Sequence, residues 1–288
     1  MTPATTPATQ RRHVTWNFED ENVLITGAAR GQGRTHALRF AEAGANLALC
    51  DIGRPIPTVE YELGTREELE RTADECRALG AKVLTQTCDV RDHDAVADFV
   101  AQSAATLGGI DVAVAQAGIA SLAQVIDMDK DVWNDMLGTN LNGVFHTFKH
   151  AARVMVEQGT PGRLVATGSL NSFVAYPYNV HYTAAKHGIA GLCKGLAQEL
   201  APYRIRVNFV APTAVRTPMA TATLNSRTAP DGYAESLGAL TGPFNLLDAD
   251  GGLLEPEEIS EAVMWLASDS SRYVTGTHVL VDAGFMTK

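Results

Sequence analysis

The sequence predicts an α/β protein: one doubly wound domain whose seven-stranded parallel sheet carries helices on both faces. Three observations point there. Short segments that are apolar throughout recur along the chain, and strands without apolar–polar alternation belong in parallel sheets covered on both sides. Each is followed by a longer amphipathic segment, the rhythm of βαβ crossovers. A glycine-rich turn lies directly between the first apolar run and the first amphipathic one.

Taken in order, residues 22–26 read as a strand and 32–43 as a helix closed by Gly44. Strand 46–50, helix 66–79 ended by Gly80, and strand 82–87 follow. Helix 92–107, strand 111–115, a long helix near 131–157 and strand 163–167 come next. Helix 180–201, strand 206–210, helix 256–267 and strand 277–281 complete the pattern. Residues 1–20 read as a flexible arm, and 21–288 as the domain. Two connections exceed the usual 2–6 or so residues. Residues 52–64 precede a capping box in which Thr65 is the N-cap and Glu68 stands three later. Residues 216–255 carry Met219, Tyr233, Leu237, Leu240, Phe244, Leu246 and Leu247, the apolar content of a substrate lid.

With 288 residues, 45% of them hydrophobic and 19% charged, the chain can bury a sizeable core. That excludes a disordered, collagen-like or disulfide-stapled protein. The net charge of −10 disfavours nucleic acid as a partner. Cys50, Cys76, Cys88 and Cys193 form neither a CxxC pair nor a zinc spacing, and no apolar run reaches the roughly 20 residues of a membrane span. A cytoplasmic protein with reduced thiols and no bound metal is the expectation.

The turn reads Thr26-Gly27-Ala28-Ala29-Arg30-Gly31-Gln32-Gly33. Glycines let the backbone approach a pyrophosphate closely, and the helix starting there directs its N–H groups at the anion. The strand–turn–helix context makes Gly27, Arg30, Gly31, Gln32 and Gly33 candidates for a dinucleotide cradle in a Rossmann-type fold. Asp51 ends the second strand, 18 residues past Gly33. A carboxylate there accepts hydrogen bonds from ribose hydroxyls and repels a 2′-phosphate, so NAD is favoured over NADP; Arg30 and Arg54 are contrary hints.

Tyr182 and Lys186, in Tyr-Thr-Ala-Ala-Lys, share a helix face. An ammonium beside a phenol, together with a positively charged nicotinamide ring, is expected to lower the phenol's pKa toward the working range. Ser169 closes the fifth strand, at the sheet edge where ligands bind. Asn140 sits inside the long helix, where it can interrupt helical bonding as π-bulges do.

Jointly these motifs, with Asp89-Val90, Ala117-Gly118 and Pro212-x-x-Val215-x-Thr217, resemble the short-chain dehydrogenase/reductase superfamily from about residue 21 onward. The resemblance implies that Tyr182 is the acid–base, Lys186 tunes it and binds the nicotinamide ribose, Ser169 holds the reacting oxygen and Asn140 a relay water. It also implies cofactor contacts for Ile52 beside Asp51, for Asp89 and Val90 at adenine, for Ala117 and Gly118, and for Val215 and Thr217 at the carboxamide. Two residues depart from the pattern: Gln116 stands where Asn is usual, and Thr213 where Gly is. The runs TGAARGQGR and YTAAKHG and the insert after Asp51 further resemble the mycofactocin-associated, carveol-dehydrogenase-like branch. That likeness implies a hydrophobic secondary alcohol or ketone as substrate, a retained NAD under the insert and a separate redox carrier, while the superfamily resemblance implies a homotetramer with helices 131–157 and 180–201 as contact surfaces.

Two other readings stay open: an NADP-linked ketoreductase of acyl or polyketide type, and a non-enzymatic nucleotide sensor. The first wants a basic docking patch, which the net charge disfavours; the second has no use for Asn140, Ser169, Tyr182 and Lys186. His146 and His150 share a helix face but lack metal-site company, so a helix-surface or subunit-contact role fits them. His181 faces away from Tyr182's side of a helix, and Ser169 lacks the elbow a hydrolase needs.

Overall fold

The structure, a computed structural model, describes residues 14–224, 226, 229, 233, 246–247 and 252–287. Strands β1 (Asn22–Thr26), β2 (Asn46–Asp51), β3 (Val83–Thr87), β4 (Val112–Ala115), β5 (Gly162–Thr167), β6 (Ile205–Pro212) and β7 (His278–Val281) form one sheet. Its order is β3-β2-β1-β4-β5-β6-β7 and every pairing is parallel. The order reverses between β1 and β4, which opens a crevice at their C-terminal ends.

Helices α1 (Gly31–Glu42), α2 (Arg66–Ala78), α3 (His93–Leu107), α4 (Lys130–Leu137), α5 (Gly143–Gln158), α6 (Val180–Leu200), α7 (Pro218–Leu224) and α8 (Pro256–Ala267) accompany the strands. Successive strand residues feed opposite faces. Leu24, Ala48 and Cys50 pack beneath Phe99, Phe148 and Ile189 of α3, α5 and α6. Val23, Ile25, Leu47 and Leu49 pack under Phe40, Leu69 and Ile259 of α1, α2 and α8. Both faces are therefore covered, which is why the strands read as unbroken apolar runs.

Local signals act as expected. Thr65 and Glu68 form the capping box of α2, and Glu67 and Glu257 lie in first turns, where they complement the helix dipole. All four cysteines are free and buried. Among the described residues no helix is long and apolar enough to cross a membrane.

Two expectations change, and a third falls mostly outside the described residues. The single helix over 131–157 is α4 and α5 joined by a π-helical turn, Gly138–Asn142, with Asn140 at its centre. The described part of the 1–20 arm is docked: Phe18 is buried edge-on to Phe40, and Trp16 Nε1 donates to Glu261 at 2.8 Å. Its aromatic residues cover the α1–α8 surface. Of the expected lid, α7 is described, together with residues 226, 229, 233, 246 and 247; Leu237, Leu240 and Phe244 lie outside the described residues.

Candidate active site

The glycine turn takes its shape from two left-handed residues, Gly27 at φ 70° and Gly31 at φ 57°. A Cβ at Gly27 would stand 2.7 Å from Ala117 Cα, so the turn after β1 touches the loop after β4. No side chain caps α1, and its first turn holds no acidic residue. Its N–H groups thus stay available to an anion in the pocket that Gly27, Arg30, Gly31, Gln32 and Gly33 line. Gln32 Oε1 is buried there without a hydrogen-bond partner.

Asp51 follows on the same wall. Its Oδ2 accepts from Ala29 N–H at 2.9 Å and its Oδ1 from Ile52 N–H at 2.8 Å. Each oxygen keeps a lone pair for a ribose hydroxyl. Burial raises the carboxyl's pKa, against the two backbone bonds, which lower it. Asp89 and Val90 line the pocket as well, just past Cys88, whose N–H donates to Asp51 C=O at 2.8 Å. Arg91 and Arg54 bind Asp89 at 2.7 and 2.9 Å; these bonds outweigh burial and hold its carboxyl below the usual range. Arg54 is thus spent on Asp89, which weakens it as a hint of 2′-phosphate binding, whereas Arg30 stays on the pocket wall.

Residues 52–64 form a strap across this pocket. Ile56 is buried, and Ile52, Val59 and Leu63 pack with Ile119, Met136 and Tyr182. Tyr61 Oη accepts from Ala120 N–H at 3.0 Å, and Thr58 donates to Asp135 at 2.7 Å. Gly64 closes down on Asp51 so tightly that a Cβ would stand 2.9 Å from its Cγ. Ala117, Gly118 and Thr217 also line the pocket, Thr217 close to the glycine turn, where a Cβ at Gly31 would stand 3.4 Å from its Cγ2. Val215 differs: its side chain belongs to the core with Ile259 and Val263, which leaves only its backbone to meet a ligand.

The polar cluster stands beside this pocket, where Tyr182 packs on Ile119 and Met136. Ser169 follows β5 and caps a short 3₁₀ turn, Leu170–Ser172, its Oγ accepting from Asn171 N–H at 3.2 Å. Ser169 lies close enough to Tyr182 for its hydroxyl to lower the phenol's pKa. Lys186, one turn along α6, is buried with Nζ 5.4 Å from the Tyr182 ring centre, donating to Thr167 C=O at 2.7 Å. The protein's own groups pull against the shift that an ammonium and a positive nicotinamide ring together are expected to produce. Burial raises the Tyr182 pKa, partly offset by Ser169, and lowers that of Lys186 to about 7. Desolvation outweighs charge proximity here, because it disfavours the ionised form of both groups.

Asn140 is fully buried, and its amide is committed: Oδ1 accepts from Ile119 N–H and Nδ2 donates to Ile119 C=O, both at 2.8 Å. The π turn shifts its main chain off the regular helical ladder, an arrangement frequent at functional sites. Sequence reasoning missed Thr139, whose Oγ1 is buried, unpartnered and on the pocket wall. It also missed Tyr61 as a wall residue; the apolar beat of 52–64 was the available signal. His181 is buried, bonded to Ser121 Oγ at 2.9 Å and pushed down to about 4 by burial. His146 bonds Val90 C=O on the helix surface. Among the described residues no group of three or more His, Cys, Asp or Glu is placed to hold a metal.

A family model described as enoyl-(acyl carrier protein) reductase matches residues 27–286. The (−)-trans-carveol dehydrogenase of Rhodococcus erythropolis is 38% identical over 275 residues, spanning 94% of this chain and 99% of that one. A crystal structure of carveol dehydrogenase from Mycobacterium avium in complex with NAD superposes with a TM-score of 0.86 at 38% identity, covering 95% of this chain and 100% of that one. A short chain dehydrogenase from Mycobacterium paratuberculosis, bound to NAD, gives 0.85 at 34% identity, covering 94% and 99%. Likeness of this extent, in sequence and in fold together, means that the chain belongs to the short-chain dehydrogenase/reductase family.

Proposed function

We propose that this protein is an NAD-linked dehydrogenase acting on an apolar secondary alcohol or its ketone, of the cyclic terpenoid kind that carveol represents. One observation carries the reading: Ser169, Tyr182 and Lys186 converge at the sheet's C-terminal edge, beside a pocket lined by the glycine turn, Asp51 and Ile119. The pocket suits the dinucleotide. The unpartnered Gln32 Oε1 and Thr139 Oγ1, the uncapped start of α1 and the carboxylate of Asp51 are polar groups that it would satisfy.

Gly27, Arg30, Gly31, Gln32 and Gly33 would hold the pyrophosphate, Asp51 and Ile52 the adenosine ribose, and Asp89 and Val90 the adenine. Ala117, Gly118, Thr217 and the Val215 backbone would hold the nicotinamide half. Bound NAD supplies a hydride acceptor at nicotinamide C4 and a positive ring charge while oxidised. The Ser169 hydroxyl fixes the substrate oxygen, and Tyr182 Oη takes the alcohol proton. Lys186, drawn toward its ammonium form by Thr167 C=O, stabilises the resulting phenolate. A relay water would sit on a main-chain carbonyl of the Gly138–Asn142 turn, with Asn140 fixing that turn through Ile119.

The strap supports a cofactor that is retained and reoxidised in place by a separate redox carrier of the mycofactocin kind, because residues 52–64 pack against both the pocket and Tyr182. A homotetramer fits the exposed Trp133 and Phe145 of α4 and α5 and Val180 of α6.

The test is mass spectrometry of the nucleotide released when extensively dialysed protein is denatured, paired with carveol oxidation using an artificial electron acceptor. Stoichiometric NAD with turnover is the expected result. NADP in its place would favour the ketoreductase reading, and an empty site would overturn retention.

A further inference from the structure

The residue that departs from the family pattern, Gln116, joins four others in a buried line. Main-chain pairing between β4 and β5 ends at Ala115 and Ala166. At the next step the side chains continue it: the Thr167 hydroxyl donates to Gln116 Oε1. The same oxygen lies 3.1 Å from His36 Nε2, and His36 Nδ1 lies 2.7 Å from Ser260 Oγ. His36 and Ser260, on α1 and α8, are fully buried. At the other end, Thr167 C=O accepts from Lys186 Nζ at 2.7 Å.

With Gln116 Oε1 set toward both neighbours, one proton arrangement serves the chain. Ser260 turns its hydroxyl from Pro256 C=O, 3.2 Å away, to Nδ1 of a neutral His36, whose Nε2–H donates to Gln116 Oε1; Thr167 donates to that oxygen and accepts from Lys186. Neutrality is what the burial of His36 imposes, lowering its pKa to about 4. Gln116 is itself anchored, its N–H donating to Thr26 Oγ1 at 3.2 Å. An asparagine is one methylene shorter and cannot bridge Thr167 and His36 from the same backbone position.

We infer that Gln116, backed by His36, is a positioning residue for Lys186: the buried chain Ser260–His36–Gln116–Thr167 sets the carbonyl that Lys186 donates to. This rests on the dehydrogenase reading only for its kinetic consequence. Thr167 is the last residue of β5, so without the side-chain tie its carbonyl is constrained only from the β6 side. A loosened carbonyl stabilises the ammonium less, the Lys186 pKa falls, and Tyr182 loses part of its counter-charge.

The experiment reads Lys186 directly. The chain has six lysines, so a spectrum of protein labelled with 13Cε-lysine is sparse, and Lys186 is assigned by its absence from Lys186→Arg. In Gln116→Leu and His36→Leu the Lys186 titration moves down by about half to one pH unit, the size of one net hydrogen bond. His36→Gln, which keeps a donor toward Gln116, restores it. Gln116→Asn shifts it the same way, and serves if Gln116→Leu does not fold. In carveol oxidation, the rising limb of kcat/KM against pH moves up by a similar amount in the same variants. Folded Gln116 variants with an unmoved Lys186 titration would overturn the inference, even if their melting temperature fell. A native protein that retains no nucleotide and oxidises no alcohol would overturn the proposed function, while the Lys186 titration still decides the chain.

Discussion

Asn140 clasps the main chain of Ile119 at both ends, its amide oxygen on the N–H and its amide nitrogen on the C=O, each at 2.8 Å. The clasp ties the π turn between α4 and α5 to the loop after β4, a wall of the pocket. Asn140→Ala strands both Ile119 groups in a buried place. We expect a loss of about 2–4 kcal/mol in denaturant unfolding, with a nucleotide-retention defect. Unchanged stability in Asn140→Ala would mean that the clasp is incidental.

Tyr182→Phe keeps the ring in its apolar setting with Ile52, Ile119 and Met136 and removes only the hydroxyl. Nucleotide content should match the native protein, while alcohol turnover falls by at least about 10²–10⁴-fold, the contribution of positioned acid–base catalysis. Single-turnover kinetics on loaded protein makes the comparison, and near-native rates would remove Tyr182 from the mechanism.

How much of this was legible in the sequence depends on the range of the forces involved. The sheet was readable because apolar runs report burial on two faces, and the glycine turn because strand, turn and helix are adjacent in the chain. Asn140 announced an interruption, since an amide inside a helix is costly unless used, yet its partner Ile119 lies 21 residues away. The strap showed its length and its apolar residues, but not that Tyr61 would reach Ala120, 59 residues on. The Tyr182–Lys186 pair was read from the charges of an ammonium and a nicotinamide ring; burial, a property of the whole fold, adds an opposing effect that disfavours the ionised form of both side chains. Gln116 looked like a local departure because its partners His36 and Thr167 come from other strands and helices.

Asp51→Ala should narrow the preference for NAD over NADP, because it removes the charge that repels a 2′-phosphate and leaves Arg30 on the wall. The Ala29 and Ile52 N–H groups lose their acceptor at the same time. Overall nucleotide affinity should therefore fall as well. Competition binding of the two dinucleotides measures the ratio; an unmoved ratio would transfer the preference to Arg30 or to the strap.

Tyr61→Phe removes one hydrogen bond from the strap and preserves its packing. Net hydrogen bonds of this kind contribute about 0.5–1.5 kcal/mol, and constraints on a covering loop act mainly on dissociation. Nucleotide release, followed by fluorescence after dilution, should quicken by about 2–12-fold. If release keeps its native rate, the strap does not gate the pocket through Tyr61.

His36 gives a pH dependence whose sign follows from its burial. Its pKa falls from the ordinary 6.5 to about 4 in the folded protein, so the unfolded chain takes up a proton that the folded one refuses. The stabilisation is complete above pH 6.5 and is lost as pH drops from there toward about 4. Integrated over that interval the loss is about 3 kcal/mol for this one fully buried residue. His36→Gln cannot titrate and keeps a donor toward Gln116, so its urea midpoint should decline less steeply over the same interval, by about that amount. His181, also depressed to about 4, adds its own decline to both proteins and cancels in the comparison. Parallel pH profiles for native and His36→Gln would show that His36 carries its proton inside the fold, and that would reverse the donor assignment along the Gln116 chain.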